Sequence, residues 1–192
     1  MFALQFYLKL KKGFFMKRVI ITLLLTTLSS FALTLGEVPQ EVTLSGENGG
    51  LVNNEAWSST TIKDKVYVLF YVDPDKKKDN KLFIDTLHTK NYDGSKYASI
   101  AIINVNATWL PNFAIEKMLK EKQKEFPNTI YVKDKTKYLV KEWGLEDNNS
   151  NVVIFNQNGE VIFLHRGEMN GEMVDRATQL IENLIFSTKK IK

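Results

Sequence analysis

Cysteine is absent from all 192 residues. The chain therefore has no disulfide, no thiolate nucleophile and no Cys-based metal site, and it cannot carry the lipid-modified cysteine of a lipoprotein anchor. Histidine occurs only twice, at His88 and His165, so a zinc site would need carboxylates gathered from distant segments. There is no His-x-Glu-x-x-His pattern, phosphate loop or nucleophile elbow. Repeats, low-complexity tracts and internal linkers are missing as well.

A surplus of one charge is also missing once the start of the chain is set apart. Met16-Lys17-Arg18 precedes an apolar run from Val19 to about Leu28, followed by Ser30-Phe31-Ala32. A positive end, an apolar stretch of about 10 residues and a small-x-small site make up a secretory signal peptide, too short to span a bilayer as a helix. We expect residues 1–32 to be this leader, cleaved near Ala32, with Met16 an alternative true start. An uncleaved leader, helped by the apolar and basic residues upstream, would be the one route to a membrane. Lys9, Lys11, Lys12, Lys17 and Arg18 all lie in it, so 26 basic residues fall to 21 against 22 acidic ones. The remaining chain lacks the positive surplus that displaces counterions from a nucleic acid, and none is expected as a partner. Export of a lysine-rich chain without disulfides points to the bacterial periplasm.

What remains, residues 33–192, has the length and the 44% hydrophobic composition of one globular domain. A polar, glycine-rich lead-in places a turn at residues 45–50 between two short extended pieces, EVTL and GLVN, and reads as a hairpin. VYVLFYV (66–72) is a continuous β-branched and aromatic run, the pattern of a strand covered on both faces. An amphipathic helix is predicted from about residue 75 to 89, with Leu82, Phe83, Thr86 and Leu87 inward. A second buried strand follows at 97–105. A helix at 111–126 turns Ile115, Met118, Leu119 and Phe126 inward, with Pro111 near its first turn. A short strand at 129–134 leads to a helix carrying Tyr138, Leu139 and Trp143, stopped by Gly144. NVVIF and EVIFLH flank Asn156-Gln157-Asn158-Gly159 as an antiparallel hairpin, and a helix from about 171 to 186 closes the chain. Alternating β and α units joined to a terminal hairpin and helix predict a central mixed sheet with helices on both faces.

That order is similar to the thioredoxin-like α/β fold with an N-terminal β-hairpin extension. The resemblance narrows with Gly36-Glu37-Val38-Pro39, Trp57 ahead of Lys65–Leu69, the helix 111–126 followed by TIYVKD, and Trp143-x-Leu145 leading to Ser150 and VVIFNQNGEV. In these features residues 36–186 resemble the YtfJ family of periplasmic thioredoxin-like proteins that lack the Cys-x-x-Cys pair. The resemblance implies that the two cysteine positions fall at Asp75 and Lys78, and that the place of the facing cis-proline falls at Ser150. Thiol-disulfide exchange needs an attacking thiolate, so neither aspartate nor lysine can perform it.

Asp73-Pro74-Asp75 reads as a helix start, with Asp73 an N-cap accepting amide hydrogen bonds and proline in the first turn. Lys76, Lys77 and Lys78 then sit at the positive end of the helix dipole, an unfavourable placement. Their simplest role is solvation; the sharper alternative is that they join the backbone amides in holding an anion. Asp73, Asp75 and Asp79 imitate part of a calcium loop, but the required glycine and distal glutamate are missing. No metal and no cofactor is expected. Trp57, Trp109 and Trp143 read as core or lid packing, although an exposed Trp109 beside Asp75 would mark a retained groove. The reading that follows is a redox-inactive domain binding a periplasmic protein or peptide through a rim of residues 73–79, 107–111 and 148–151, with Asp73, Asp75, Lys76, Lys77, Lys78, Trp109 and Ser150 as its candidate residues. The alternatives are a non-thiol enzyme or small-anion-binding protein using the same rim, and an envelope accessory factor with no groove chemistry.

Overall fold

VYVLFYV is buried along its whole length, as a strand flanked by other strands and covered on both faces must be. A computed structural model describes residues 32–187; the expected leader, apart from Ala32, and the alternative start at Met16 lie outside the described residues. In chain order the strands are β1 (Thr43–Leu44), β2 (Gly49–Leu51), β3 (Trp57–Ser58), β4 (Val66–Val72), β5 (Tyr97–Asn104), β6 (Thr129–Asp134), β7 (Ser150–Phe155) and β8 (Val161–Arg166). The helices are α1 (Lys81–Lys90), α2 (Asn112–Glu125), α3 (Tyr138–Trp143) and α4 (Gly171–Ser187). The main sheet has the order β2-β6-β5-β4-β7-β8, with β4, β5 and β6 mutually parallel and β7 antiparallel to β4.

The period-two alternation of β4 divides the core. Tyr67, Leu69 and Tyr71 face Trp57, Leu139, Trp143 and Phe155 on one side of the sheet. Val66, Val68, Phe70 and Val72 face Phe83 and Leu87 of α1 and Val174, Ala177 and Ile181 of α4 on the other. Helix α2 seats Ile115 and Leu119 on Val105. This is the expected mixed sheet flanked by helices.

Two local expectations change. The lead-in pieces do not pair with each other: β1 forms a small antiparallel sheet with β3, Leu44 opposite Trp57, while β2 joins the main sheet antiparallel to β6. A one-turn 3-10 helix at Gly46–Asn48 sends the chain across, and Gly49 follows at φ 133°, where a Cβ would stand 1.8 Å from the carbonyl oxygen of Lys133. Only glycine permits that approach. The second change is at α1, which starts at Lys81 rather than near residue 75, because Pro74–Lys76 form a separate 3-10 turn. With the later start Leu82 points outward and Phe83 and Leu87 are the buried residues.

The segment ahead of β1 is tied down. Leu33 N donates to Trp143 O at 3.0 Å, Gly36 N to Val161 O at 2.7 Å and Val161 N to Glu37 O at 2.9 Å. The Trp143 indole donates to Gln40 O at 2.9 Å. Ala32 rests against Gly144, which ends α3 in the left-handed conformation at φ 61°.

Candidate functional site

The carboxyl ends of β4, β5 and β6 come out along one edge of the sheet, the usual place for ligands in α/β folds. Beyond β4 the chain turns through Pro74–Lys76, and Asp75, Lys76, Lys77 and Lys78 are all exposed. None of the three lysines takes part in an ion pair among the described residues. They precede α1 rather than crowd its first turn, which weakens the conflict with its dipole.

Asp73 departs from its expected capping role. Its backbone oxygen accepts from Lys76 N at 2.8 Å, and its own N–H donates to Asn149 O at 3.1 Å. Its carboxyl caps nothing: the side chain is 1% exposed, and neither oxygen has a hydrogen-bond partner of normal geometry. Ser150, beside Val72 in register, is buried with a trans peptide before it. Its hydroxyl accepts from Asn80 Nδ2 at 2.8 Å. The same Nδ2 donates to Gly167 O at 3.1 Å, and Asn80 Oδ1 accepts from Met169 N at 3.0 Å. The Asn80 amide thus staples the start of α1 to β7 and to the loop beyond β8. Asn80 gave no sequence signal, since the helix expected from about residue 75 placed it as an ordinary polar residue within that helix.

Of the three tryptophans, Trp57 and Trp143 belong to the core and Trp109 does not: it is 84% exposed, and Phe113 in the first turn of α2 is 75% exposed. Trp109 follows the 3-10 turn Val105–Ala107 at the end of β5, at the same edge as residues 75–78, with no hydrogen bond or ion pair joining the two. His88 stacks on Phe126 with ring centroids 4.6 Å apart, and His165 Nε2 lies 3.1 Å from Glu168 O. Among the described residues no three His, Cys, Asp or Glu side chains come together as a metal site.

Beneath the loop 144–149 lies a buried polar layer. Asn104 and Asp134 are register partners at the ends of β5 and β6. Asp134 accepts from the Tyr71 hydroxyl at 3.1 Å and from the amides of Thr136, Tyr138 and Leu139 at 3.1, 2.8 and 2.9 Å. Asn104 Nδ2 donates to Asp147 Oδ1 at 2.9 Å, and Lys137 Nζ to Asp147 Oδ2 at 2.5 Å. Asn151 holds the loop by accepting from Glu146 N and donating to Glu146 O, both at 2.9 Å. Burial pushes the Asp73 carboxyl up to about 6; the nearby Asn104 amide opposes this, Asp147 adds to it, and Lys137 and the Asn149 backbone oppose it. Burial also pushes Asp147 up, but the bonds from Lys137 and Asn104 outweigh it and hold that carboxyl below its usual value. Burial, then the Asp134 charge, pushes the Tyr71 hydroxyl far up.

The profile of a family described as bacterial protein of unknown function, YtfJ_HI0045, matches residues 37–184. The chain belongs to the YtfJ family. This YtfJ-family chain is 22% identical over 147 residues to an uncharacterized protein of Haemophilus influenzae, covering 75% of this chain and 78% of that one. It is 22% identical over 135 residues to the uncharacterized protein YtfJ of Escherichia coli, covering 68% and 73%. Among solved structures, a putative protein disulfide isomerase from Bacteroides thetaiotaomicron superposes with a TM-score of 0.58 at 16% identity, over 80% of this chain and 91% of that one. The fold is thioredoxin-like, and in this YtfJ-family member it carries no sulfur nucleophile.

Proposed function

We propose that this YtfJ-family protein is an exported accessory factor of the periplasm that recognises another protein or a peptide at the carboxyl edge of its sheet, without thiol chemistry. The observation behind this reading is the division of that edge. On one side Asp75 to Lys78 stand exposed beyond β4, with the Asn80–Ser150 bond tying the start of α1 to β7. On the other Trp109 and Phe113 hold large aromatic surfaces in solvent. Exposed aromatics among lysines are poor for solubility but suited to the centre and rim of an interface.

The test is a photo-crosslinking residue placed at position 109, and separately at 78, in the full chain expressed with its own leader. The expected result is a shortened protein in the periplasmic fraction and one predominant protein adduct from position 109. Placing the crosslinker at 78 in a Phe113→Ala background should lower the yield of the same adduct several-fold. A chain retained in the cytoplasm, or the absence of a discrete adduct from both positions, would overturn the reading.

A further inference from the structure

The layer under loop 144–149 contains one ammonium for two neighbouring carboxylates. From β5, Asn104 faces Asp73, but its Nδ2 is bonded to Asp147. From β6, Asp134 is taken up by four donors, and on β4 the Tyr71 hydroxyl is one of them. From the loop, Asn149 contributes its carbonyl to the Asp73 amide, and Asp147 contributes a like charge. Lys137, at the start of α3, is the cation within reach of Asp73, and it is paired with Asp147 at 2.5 Å. The buried atoms without a partner in this layer are Asp73 Oδ1, Asp73 Oδ2 and Asn104 Oδ1, all acceptors. An ionised Asp73 thus has the Asn104 amide and the Asn149 backbone near it but no donor in normal hydrogen-bond geometry, and it has a negative neighbour; a proton relieves both.

We propose that Asp73 is a proton-operated latch: neutral, it lets the loop 144–149 close over the ends of β4 and β5, and ionised, it competes with Asp147 for Lys137 and loosens that loop. The loop is the element that Asp73 and Lys137 reach. It is joined to what lies beneath it by the Asp73–Asn149, Asn104–Asp147 and Lys137–Asp147 bonds as well as by Asn151 on Glu146, and left-handed residues at Gly144 (φ 61°) and Asn148 (φ 55°) bound its turns.

The direction follows from linkage. In the closed form Asp73 holds its proton up to a pH of about 6, against an ordinary value of 3.8. Closure is therefore fully favoured at low pH, weakens as pH rises from the ordinary value through 6, and is constant above. Asp147, depressed in the folded chain, contributes stability above its ordinary value that is lost only in more acid solution, so it leaves this window untouched.

Hydrogen exchange read by NMR tests the latch at pH 4.5 and pH 7, with amides inside α4 as the internal reference. The protection factors of the Asp73 and Glu146 amides should fall at least tenfold, and at most about a hundredfold, between the two pH values. The carboxyl carbon of Asp73 should titrate near 6, and Asp73→Asn should remove the pH dependence. Equal protection at both values, an Asp73 titration in the ordinary carboxylate range, or a pH response that persists in Asp73→Asn would overturn the proposal. Should that variant fail to fold, the wild-type protection factors and carboxyl titration decide the matter together: the fall in protection must follow the Asp73 titration.

Discussion

Replacing Asn80 with alanine is expected to lower stability by about 3–5 kcal/mol, since it strands three buried or half-buried groups at once and each is worth roughly 1–3 kcal/mol. Gly167 O loses its donor, Met169 N its acceptor and Ser150 Oγ its partner. A water admitted to the space would bring the cost toward the lower figure. For a domain of this size the melting temperature should drop by about 6–20 °C. Ser150→Ala removes only one of the three bonds and should cost about 1 kcal/mol. Urea unfolding of the two variants side by side checks the ratio. An Asn80→Ala midpoint indistinguishable from that of the parent would mean that something other than this amide ties α1 to β7.

The other large effect is at Trp143. Its side chain is fully buried, its ring packs 6.1 Å from that of Phe155 at a tilt of 51°, and its indole nitrogen anchors Gln40. Trp143→Ala empties the centre of one face of the sheet and should cost about 3–5 kcal/mol. Trp143→Phe refills most of the space but drops the Gln40 bond, a loss of about 1 kcal/mol plus whatever the smaller ring leaves unfilled. Denaturant unfolding measures both, and the phenylalanine variant remains informative if the alanine variant does not accumulate. A Trp143→Ala protein within 1 kcal/mol of the parent would contradict the buried position of this ring.

How much of this was legible depends on whether the information is local. A seven-residue strand announces two buried faces by its lack of alternation, and β4 divides Tyr67, Leu69 and Tyr71 from Val66, Val68, Phe70 and Val72 accordingly. Gly144 stopping α3, and the turn between β7 and β8 with Gly159 at φ 81°, were equally readable. Strands of two or three residues carry no pattern, so the partners of β1 and β2 were out of reach.

At the candidate site, sequence signals for capping were satisfied on paper by Asp73-Pro74-Asp75. In the fold, tertiary burial turned the Asp73 carboxyl inward and used Asn80 as a bridge. Asp75 to Lys78 and Trp109 stand exposed at one edge of the sheet; Phe113 was missed because it falls off the stripe of Ile115, Met118 and Leu119, where a single aromatic carries no pattern. Asn104, Asp134, Lys137 and Asp147 are unexceptional polar residues spread over more than forty positions. Only the register of parallel strands, Asn104 against Asp134, gathers them.

The bonds of Gly36 and Glu37 to Val161 have a bearing on solubility. β8 is the outermost strand of the sheet, and a bare outer strand is a template on which a second copy can add. Gly36 and Glu37 occupy the first position of that edge, so trimming past Glu37 would lengthen the bare template by the Val161 groups.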